Sequence, residues 1–233
     1  MSYARTLDRV ETYFDRTATK VWDQLTSDAP VSRVRATVRA GRDEMRATMI
    51  EALGDVRGKR ILDAGCGTGA ASEVLAILGA EVVGVDISPS LIDIAKDRLP
   101  KGLRGKVHFE AGDMLADRGR FDAVLAMDSL IYYTARDLEA ALLALGEKAP
   151  EVVFTIAPRS PFLMAFWYAG KLFPRRDRSP VMVPQDIARL EAAGLGIRHV
   201  KTVRSGFYTS ACLKMVSRGQ KGAGGPMEGG RDG

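Results

Sequence analysis

Apolar residues along this 233-residue chain gather into strand-length runs separated by helix-length segments. The runs fall at 60–64, 81–87, 107–111, 121–127 and 152–156, and this alternation predicts parallel strands with helices on both faces of the sheet. Two further runs, 197–203 and 208–216, are separated by only four residues. A link that short joins antiparallel neighbours, because a parallel crossover needs about a dozen residues or more. The pattern therefore predicts an α/β fold whose seven-stranded sheet is mostly parallel and closes on a C-terminal antiparallel hairpin.

Upstream of the first strand the apolar period changes from two to about 3.6. Over 31–53, Val34, Val38, Met45 and Met49 share one helical face, while Arg35, Arg39, Arg42 and Arg46 form a second stripe. Such an arginine row suits carboxylates or phosphates, and it equally suits a solvated face paired with Asp43 and Glu44. A weaker amphipathic pattern over 3–25 carries Tyr13, Phe14, Val21 and Trp22. We read 1–58 as an N-terminal helical lid and 59–216 as the main domain, with an insertion at about 159–180. Residues 217–233 read as a disordered tail, since seven of the fifteen residues in 219–233 are glycine.

Composition adds little until it is divided. Hydrophobic residues at 46% and charged residues at 27% exclude disordered, collagen-like and disulfide-framework classes, and two cysteines leave no zinc framework. No run approaches the roughly 18 apolar residues of a membrane span, and no signal-peptide pattern opens the chain, so a cytoplasmic protein is expected. The net charge of +5 hides an uneven distribution: +1 over 1–58, −4 over 59–158 and +8 over 159–233. The late excess of cations suits an anionic ligand and equally suits ordinary basic solubilisation with a basic tail; the apolar and aromatic stretch inside 159–180 reads as a core-packed helix, an interfacial membrane contact or a cover over a substrate.

The candidate chemistry sits at the strand ends. Asp63-Ala64-Gly65-Cys66-Gly67-Thr68-Gly69 follows the first strand and opens a helix. Its glycines let the backbone turn tightly and approach a ligand, and the helix N-terminus offers unpaired N–H groups. The spacing is G-x-G-x-G, not the G-x-G-x-x-G of dinucleotide loops, and the carboxylate of Asp63 would repel a pyrophosphate but accept from an ammonium. The second strand ends at Asp86-Ile87, at the spacing where an acid accepts from ribose hydroxyls. The third ends at Asp113-Met114, suited to an adenine amine and ring, and the fourth at Met127-Asp128. Four acid-terminated parallel strands direct their chemistry to one edge of the sheet.

At these residues the chain resembles the Rossmann-like class I methyltransferases, which use S-adenosylmethionine. The resemblance implies that Asp63, Gly65, Cys66, Gly67 and Gly69 face the methionine part, Asp86 and Ile87 the ribose, and Asp113, Met114 and Met127 the adenine end. The fourth strand is followed by Asp128-Ser129-Leu130-Ile131-Tyr132-Tyr133 and lacks the motif of enzymes that methylate nucleobase amines, so no nucleic-acid partner is expected. Further segments are similar to the magnesium-protoporphyrin IX O-methyltransferases of chlorophyll and bacteriochlorophyll synthesis: Tyr13-Phe14 with Trp22, Val38-Arg39-Ala40-Gly41-Arg42, Ala157-Pro158, Leu172-Phe173-Pro174 and Gly206-Phe207-Tyr208-Thr209-Ser210.

That resemblance implies esterification of one propionate of magnesium-protoporphyrin IX. For such an acceptor, Arg39 or Arg42 is expected to pair with a propionate and Tyr132 or Tyr133 to position the reacting oxygen as catalytic residues. The resemblance also suggests the large subunit of magnesium chelatase as partner, and leaves open a peripheral contact with the photosynthetic membrane. Relatives in oxygenic phototrophs commonly have His at the position of Tyr132 and Tyr at that of Thr26, so a role tied to either side chain does not transfer directly. His108 and His199 lie in strand-like runs and read as structural; no protein metal site is expected, the magnesium belonging to the substrate. Another small anionic acceptor, or a non-catalytic porphyrin carrier, remains an alternative.

Overall fold

A computed structural model of the chain describes residues 32–159, 164 and 182–217. The first amphipathic segment, the aromatic stretch of the insertion and the glycine-rich tail lie outside the described residues. Seven strands form one sheet: β1 (Arg60–Ala64), β2 (Glu81–Asp86), β3 (Val107–Ala111), β4 (Ala123–Ala126), β5 (Glu151–Ile156), β6 (Ile197–Ser205) and β7 (Tyr208–Val216). Their order is β3-β2-β1-β4-β5-β7-β6. Strands β1 to β5 pair in parallel, and β7 runs antiparallel to both β5 and β6, as the short connection requires. The order reverses between β1 and β4, which is where doubly wound sheets open a crevice at their carboxyl edge.

Alternation along the strands divides the core in two. Ile61, Val82, Leu125, Val153 and Cys212 face one side, against helices α1 (Arg33–Leu53), α2 (Ala70–Ile77) and α3 (Pro89–Arg98). Leu62, Val85, Val124, Phe154 and Leu213 face the other, against α4 (Ala135–Lys148) and α5 (Ile187–Ala192). All of these helices except α2, which follows Gly69, begin at a side-chain cap. Ser88 Oγ accepts from Leu91 N–H ahead of α3, with Pro89 in its first turn, and Thr134 Oγ1 accepts from Asp137 N–H ahead of α4.

The C-terminal half of α1, which the sequence assigns to an N-terminal lid, packs into the sheet. Met45 and Met49 are fully buried with Ile61 and Leu75, and α1 crosses β6 and β7. Its approach is close because Gly41 faces the hairpin, where a Cβ would stand 2.7 Å from Tyr208 Cδ1 and 2.8 Å from Ser205 Cβ. Ser205 Oγ donates to Thr37 O at 2.7 Å and Lys201 pairs with Glu44 at 2.8 Å, which fixes the same contact from its polar side. Two of the segments that carry the family resemblance, 38–42 and 206–210, thus meet across this interface. No helix among the described residues is long and apolar enough to cross a membrane.

Glycine at position 41 costs about 1 kcal/mol of helix propensity relative to alanine, whereas overpacking a tight interface costs about 1–3 kcal/mol. Gly41→Ala should therefore lower the unfolding free energy, by about 1 kcal/mol in urea titrations. An unchanged or raised midpoint would contradict the close helix–hairpin approach.

Candidate functional site

A cleft of about 600 Å³ opens at the carboxyl edge, over the ends of β1, β2 and β4, with α1 forming one wall. Its floor is the loop from Gly65 to Gly69. The N–H groups of Gly65 and Cys66 donate to Val85 O at 2.7 and 3.0 Å, so the loop is folded back against the end of β2. The three glycines have left-handed φ values of 81°, 54° and 81°. A Cβ on Gly65 would lie 2.3 Å from Ser129 Cβ, and one on Gly69 would lie 2.6 Å from Phe109 Cζ. At Gly67 a Cβ would meet nothing within 4 Å, so the space beside this backbone is open to a ligand.

Asp86 closes the loop from the other side. Its Oδ2 accepts Gly67 N–H at 2.8 Å and its Oδ1 accepts Ser88 N–H at 3.0 Å, which orients a largely buried carboxylate at the cleft. Asp63 is 1% exposed, lines the cleft, and its Oδ2 accepts Ser72 Oγ–H at 2.6 Å. Burial pushes its carboxyl up to about 6; the Ser72 hydrogen bond works against that rise and the charge of Asp86 adds to it. Burial, followed by the charges of Asp63 and Asp86, holds the Cys66 thiol well above its usual range.

At the acceptor end, Asp128 follows β4 with a left-handed φ of 55°. Arg42 Nη1 donates to its Oδ2 at 2.5 Å, Thr155 Oγ1 to its Oδ1 at 3.1 Å, and Tyr208 OH approaches both oxygens at 3.3 and 3.4 Å. Burial, and secondarily the Asp128 charge, push the Tyr208 phenol far up, so it remains a donor. Beyond Asp128 a short 3₁₀ turn, Leu130–Tyr132, carries Tyr132 to the cleft wall beside the buried Tyr133. Gln185 Nε2 donates to Tyr133 O at 2.9 Å, and Gln185 N–H to Ala157 O at 2.8 Å, so the chain on either side of residues 160–181 meets beside this turn.

Of the residues expected from sequence, Asp63, Gly65, Cys66, Gly67, Asp86, Ile87, Met114, Met127, Tyr132, Tyr133, Arg39 and Arg42 all line the one cleft. Gly69 and Asp113 do not. Gly69 caps α2 beneath the loop, and Asp113 Oδ1 accepts Leu115 N–H at 2.8 Å, turning its carboxylate into its own turn. Arg42 reaches the cleft already in an ion pair with Asp128, a partner 86 residues away that the arginine stripe alone did not reveal. Tyr208 and Thr155 were also missed as members of this cluster. The open space at Gly67, the oriented Asp86 and the buried acid at Asp63 fit the polar parts of S-adenosylmethionine.

Residues 61–147 match a profile described as a methyltransferase domain. Fold and cleft together define a class I S-adenosylmethionine-dependent methyltransferase. Residues 126–217 match the magnesium-protoporphyrin IX methyltransferase C-terminus, and the magnesium-protoporphyrin O-methyltransferase of Rhodobacter capsulatus is 56% identical over 91% of this chain and 97% of its own length. The chain belongs to the magnesium-protoporphyrin O-methyltransferase family. The chloroplastic magnesium protoporphyrin IX methyltransferase of Arabidopsis thaliana is 31% identical over 89% of this chain and 70% of its own. The crystal structure of magnesium protoporphyrin IX methyltransferase (ChlM) from Synechocystis PCC 6803 with bound SAH superposes with a TM-score of 0.75 at 27% identity, covering 89% of this chain and 98% of that one.

The raised Asp63 carboxyl carries a signed consequence for stability. Below its ordinary value of 3.8 both folded and unfolded chains hold the proton. As pH rises from there to about 6 the unfolded chain loses it first, so stability falls, and above about 6 the whole penalty, roughly 3 kcal/mol, is present. Asp63→Asn abolishes that penalty. Its unfolding free energy relative to the parent protein should therefore grow by roughly 2 kcal/mol between about pH 4.5 and about pH 7.5 in denaturant titrations without cofactor. A difference independent of pH would refute the buried, raised carboxyl.

Proposed function

We propose that this protein esterifies one propionate of magnesium-protoporphyrin IX, using the methyl group of S-adenosylmethionine and giving the monomethyl ester and S-adenosylhomocysteine. The observation that carries this reading is a cofactor-type loop and an arginine-lined wall sharing one cleft, in a chain of this family. S-adenosylmethionine supplies an electrophilic methyl group on a sulfonium, which an oxygen lone pair accepts by in-line displacement. On the protein's side, Asp86 takes the ribose hydroxyls, Asp63 the ammonium, and Met114 and Met127 the adenine end.

A propionate needs no general base, because a carboxyl with an ordinary pKa of about 4.3 is ionised at neutral pH. The chain's contribution is then alignment and exclusion of water, which in well-oriented systems is worth about 7–11 kcal/mol. Arg39 and Arg42 on α1 face the propionate charge, and Tyr132 with Tyr133 positions the reacting oxygen. Transfer into the bacteriochlorophyll or chlorophyll series follows from the ester formed. An apolar photoreactive porphyrin is better handed over than released, and the large subunit of magnesium chelatase is the proposed donor. Phe207, 62% exposed at the hairpin tip, supports a peripheral membrane contact.

Protein incubated with methyl-labelled S-adenosylmethionine and magnesium-protoporphyrin IX should yield one labelled methyl ester per porphyrin. Cofactor that binds without any transfer to the porphyrin would overturn the reading. Arg39→Ala should raise the KM for porphyrin by about tenfold while cofactor affinity stays unchanged, since an ion-paired hydrogen bond is worth about 1.5–3 kcal/mol. Tyr132→Phe should lower kcat with little change in either affinity; an unaltered turnover number removes Tyr132 from the reaction.

A further inference from the structure

Methyl transfer as described above assigns no task to Asp128, although three separate elements direct donors at it. The residue follows β4 at the acceptor side of the cleft, in a left-handed conformation that favours Gly, Asn or Asp. Its N–H donates to Thr155 Oγ1 at 2.7 Å, and its carboxylate receives Arg42 from α1, Thr155 from β5 and Tyr208 from β7. With side chains only 18% and 8% exposed, the Arg42–Asp128 pair is largely withdrawn from water, where a charge pair is screened less than on the surface.

Anchoring α1 is not what this pair is needed for. Met45 and Met49 are buried in the core, Lys201 holds Glu44, and Ser205 holds the Thr37 carbonyl. What the pair does hold is one guanidinium at the cleft wall, by its Nη1. A guanidinium recognises a carboxylate through a planar fork of N–H donors, so its orientation decides whether a two-pronged contact can form. Thr155 and Tyr208 hold Asp128, and Asp128 holds Arg42.

We infer that Asp128 is a positioning residue for substrate recognition, fixing Arg42 so that its guanidinium meets a carboxylate of the porphyrin and discriminates it from the neutral methyl ester. This rests on the proposed porphyrin substrate. The arrangement also suits turnover. Methylation abolishes the charge that Arg42 recognises, and Asp128 keeps the half-buried cation compensated as the ester departs, so release leaves no bare charge in the cleft.

Asp128→Asn tests this with little disturbance, since asparagine keeps the size, tolerates the left-handed backbone and can still accept from Thr155 and Tyr208. Affinities for magnesium-protoporphyrin IX and for its dimethyl ester would be read from Soret-band titrations of the full chain saturated with S-adenosylhomocysteine. The parent protein should prefer the diacid, and Asp128→Asn should reduce that preference by about tenfold, with S-adenosylhomocysteine affinity within about twofold of the parent. Arg42→Gln, which approaches the same pair from the helix, should cause the same loss, and the double variant no further loss. A preference that stays the same or increases in Asp128→Asn, or losses that add in the double variant, would overturn the positioning role. A parent protein that binds neither porphyrin would overturn the substrate reading, and this proposal with it.

Discussion

The N–H groups of Gly67 and Ser88 converge on one carboxylate, that of Asp86, and the cofactor end of the cleft depends on this contact. The acid ends β2; Gly67 lies in the loop after β1, and Ser88 caps α3. A buried acid without donors would cost several kcal/mol, so the two N–H groups stabilise Asp86 while Asp86 holds the glycine loop through Gly67. Left-handed backbone at Gly65, Gly67 and Gly69 is what lets the loop turn back far enough to present the Gly67 N–H.

The same logic operates at the acceptor end with different partners. Asp128, just past β4, receives Arg42, Thr155 and Tyr208, so that side chains from a helix, a parallel strand and the antiparallel hairpin converge on one carboxylate. Parallel strands deliver both acids to the same edge, at the place where strand order reverses. Asp63 stands deeper, with Ser72 at hydrogen-bond distance, and its raised carboxyl marks how far the cleft floor is removed from water. Carboxylates at strand ends therefore organise the whole site, each compensated by donors from a neighbouring element.

Much of this was legible because it is periodic or local. Alternating runs announced the parallel strands, the short link announced the antiparallel pair, and glycine spacing with a preceding acid announced the loop. Boundaries blurred where a residue is buried without being in a strand: 121–127 shrinks to Ala123–Ala126 because Phe121 and Met127 pack from the flanking loops. Which hairpin strand meets β5 was not evident from the turn. Yet the continuous buried run of β7 against the exposed Arg198, His199, Lys201 and Arg204 of β6 accounts for β6 as the edge. The Arg42–Asp128 pair was not legible at all, since 86 residues separate its members and the stripe around Arg42 suits solvent equally well. Asp113 hid a local contact as well: its carboxylate closes a turn by accepting Leu115 N–H, which its place at a strand end did not announce.

The most direct test of the account is a crystal structure of the protein with S-adenosylhomocysteine and magnesium-protoporphyrin IX bound together. The account predicts ribose hydroxyls on Asp86 and one porphyrin propionate between the α1 arginines and Tyr132, its oxygen directed at the sulfur. A porphyrin seated with both propionates in solvent, or a nucleoside bound away from Asp86 and the Gly67 backbone, would contradict it.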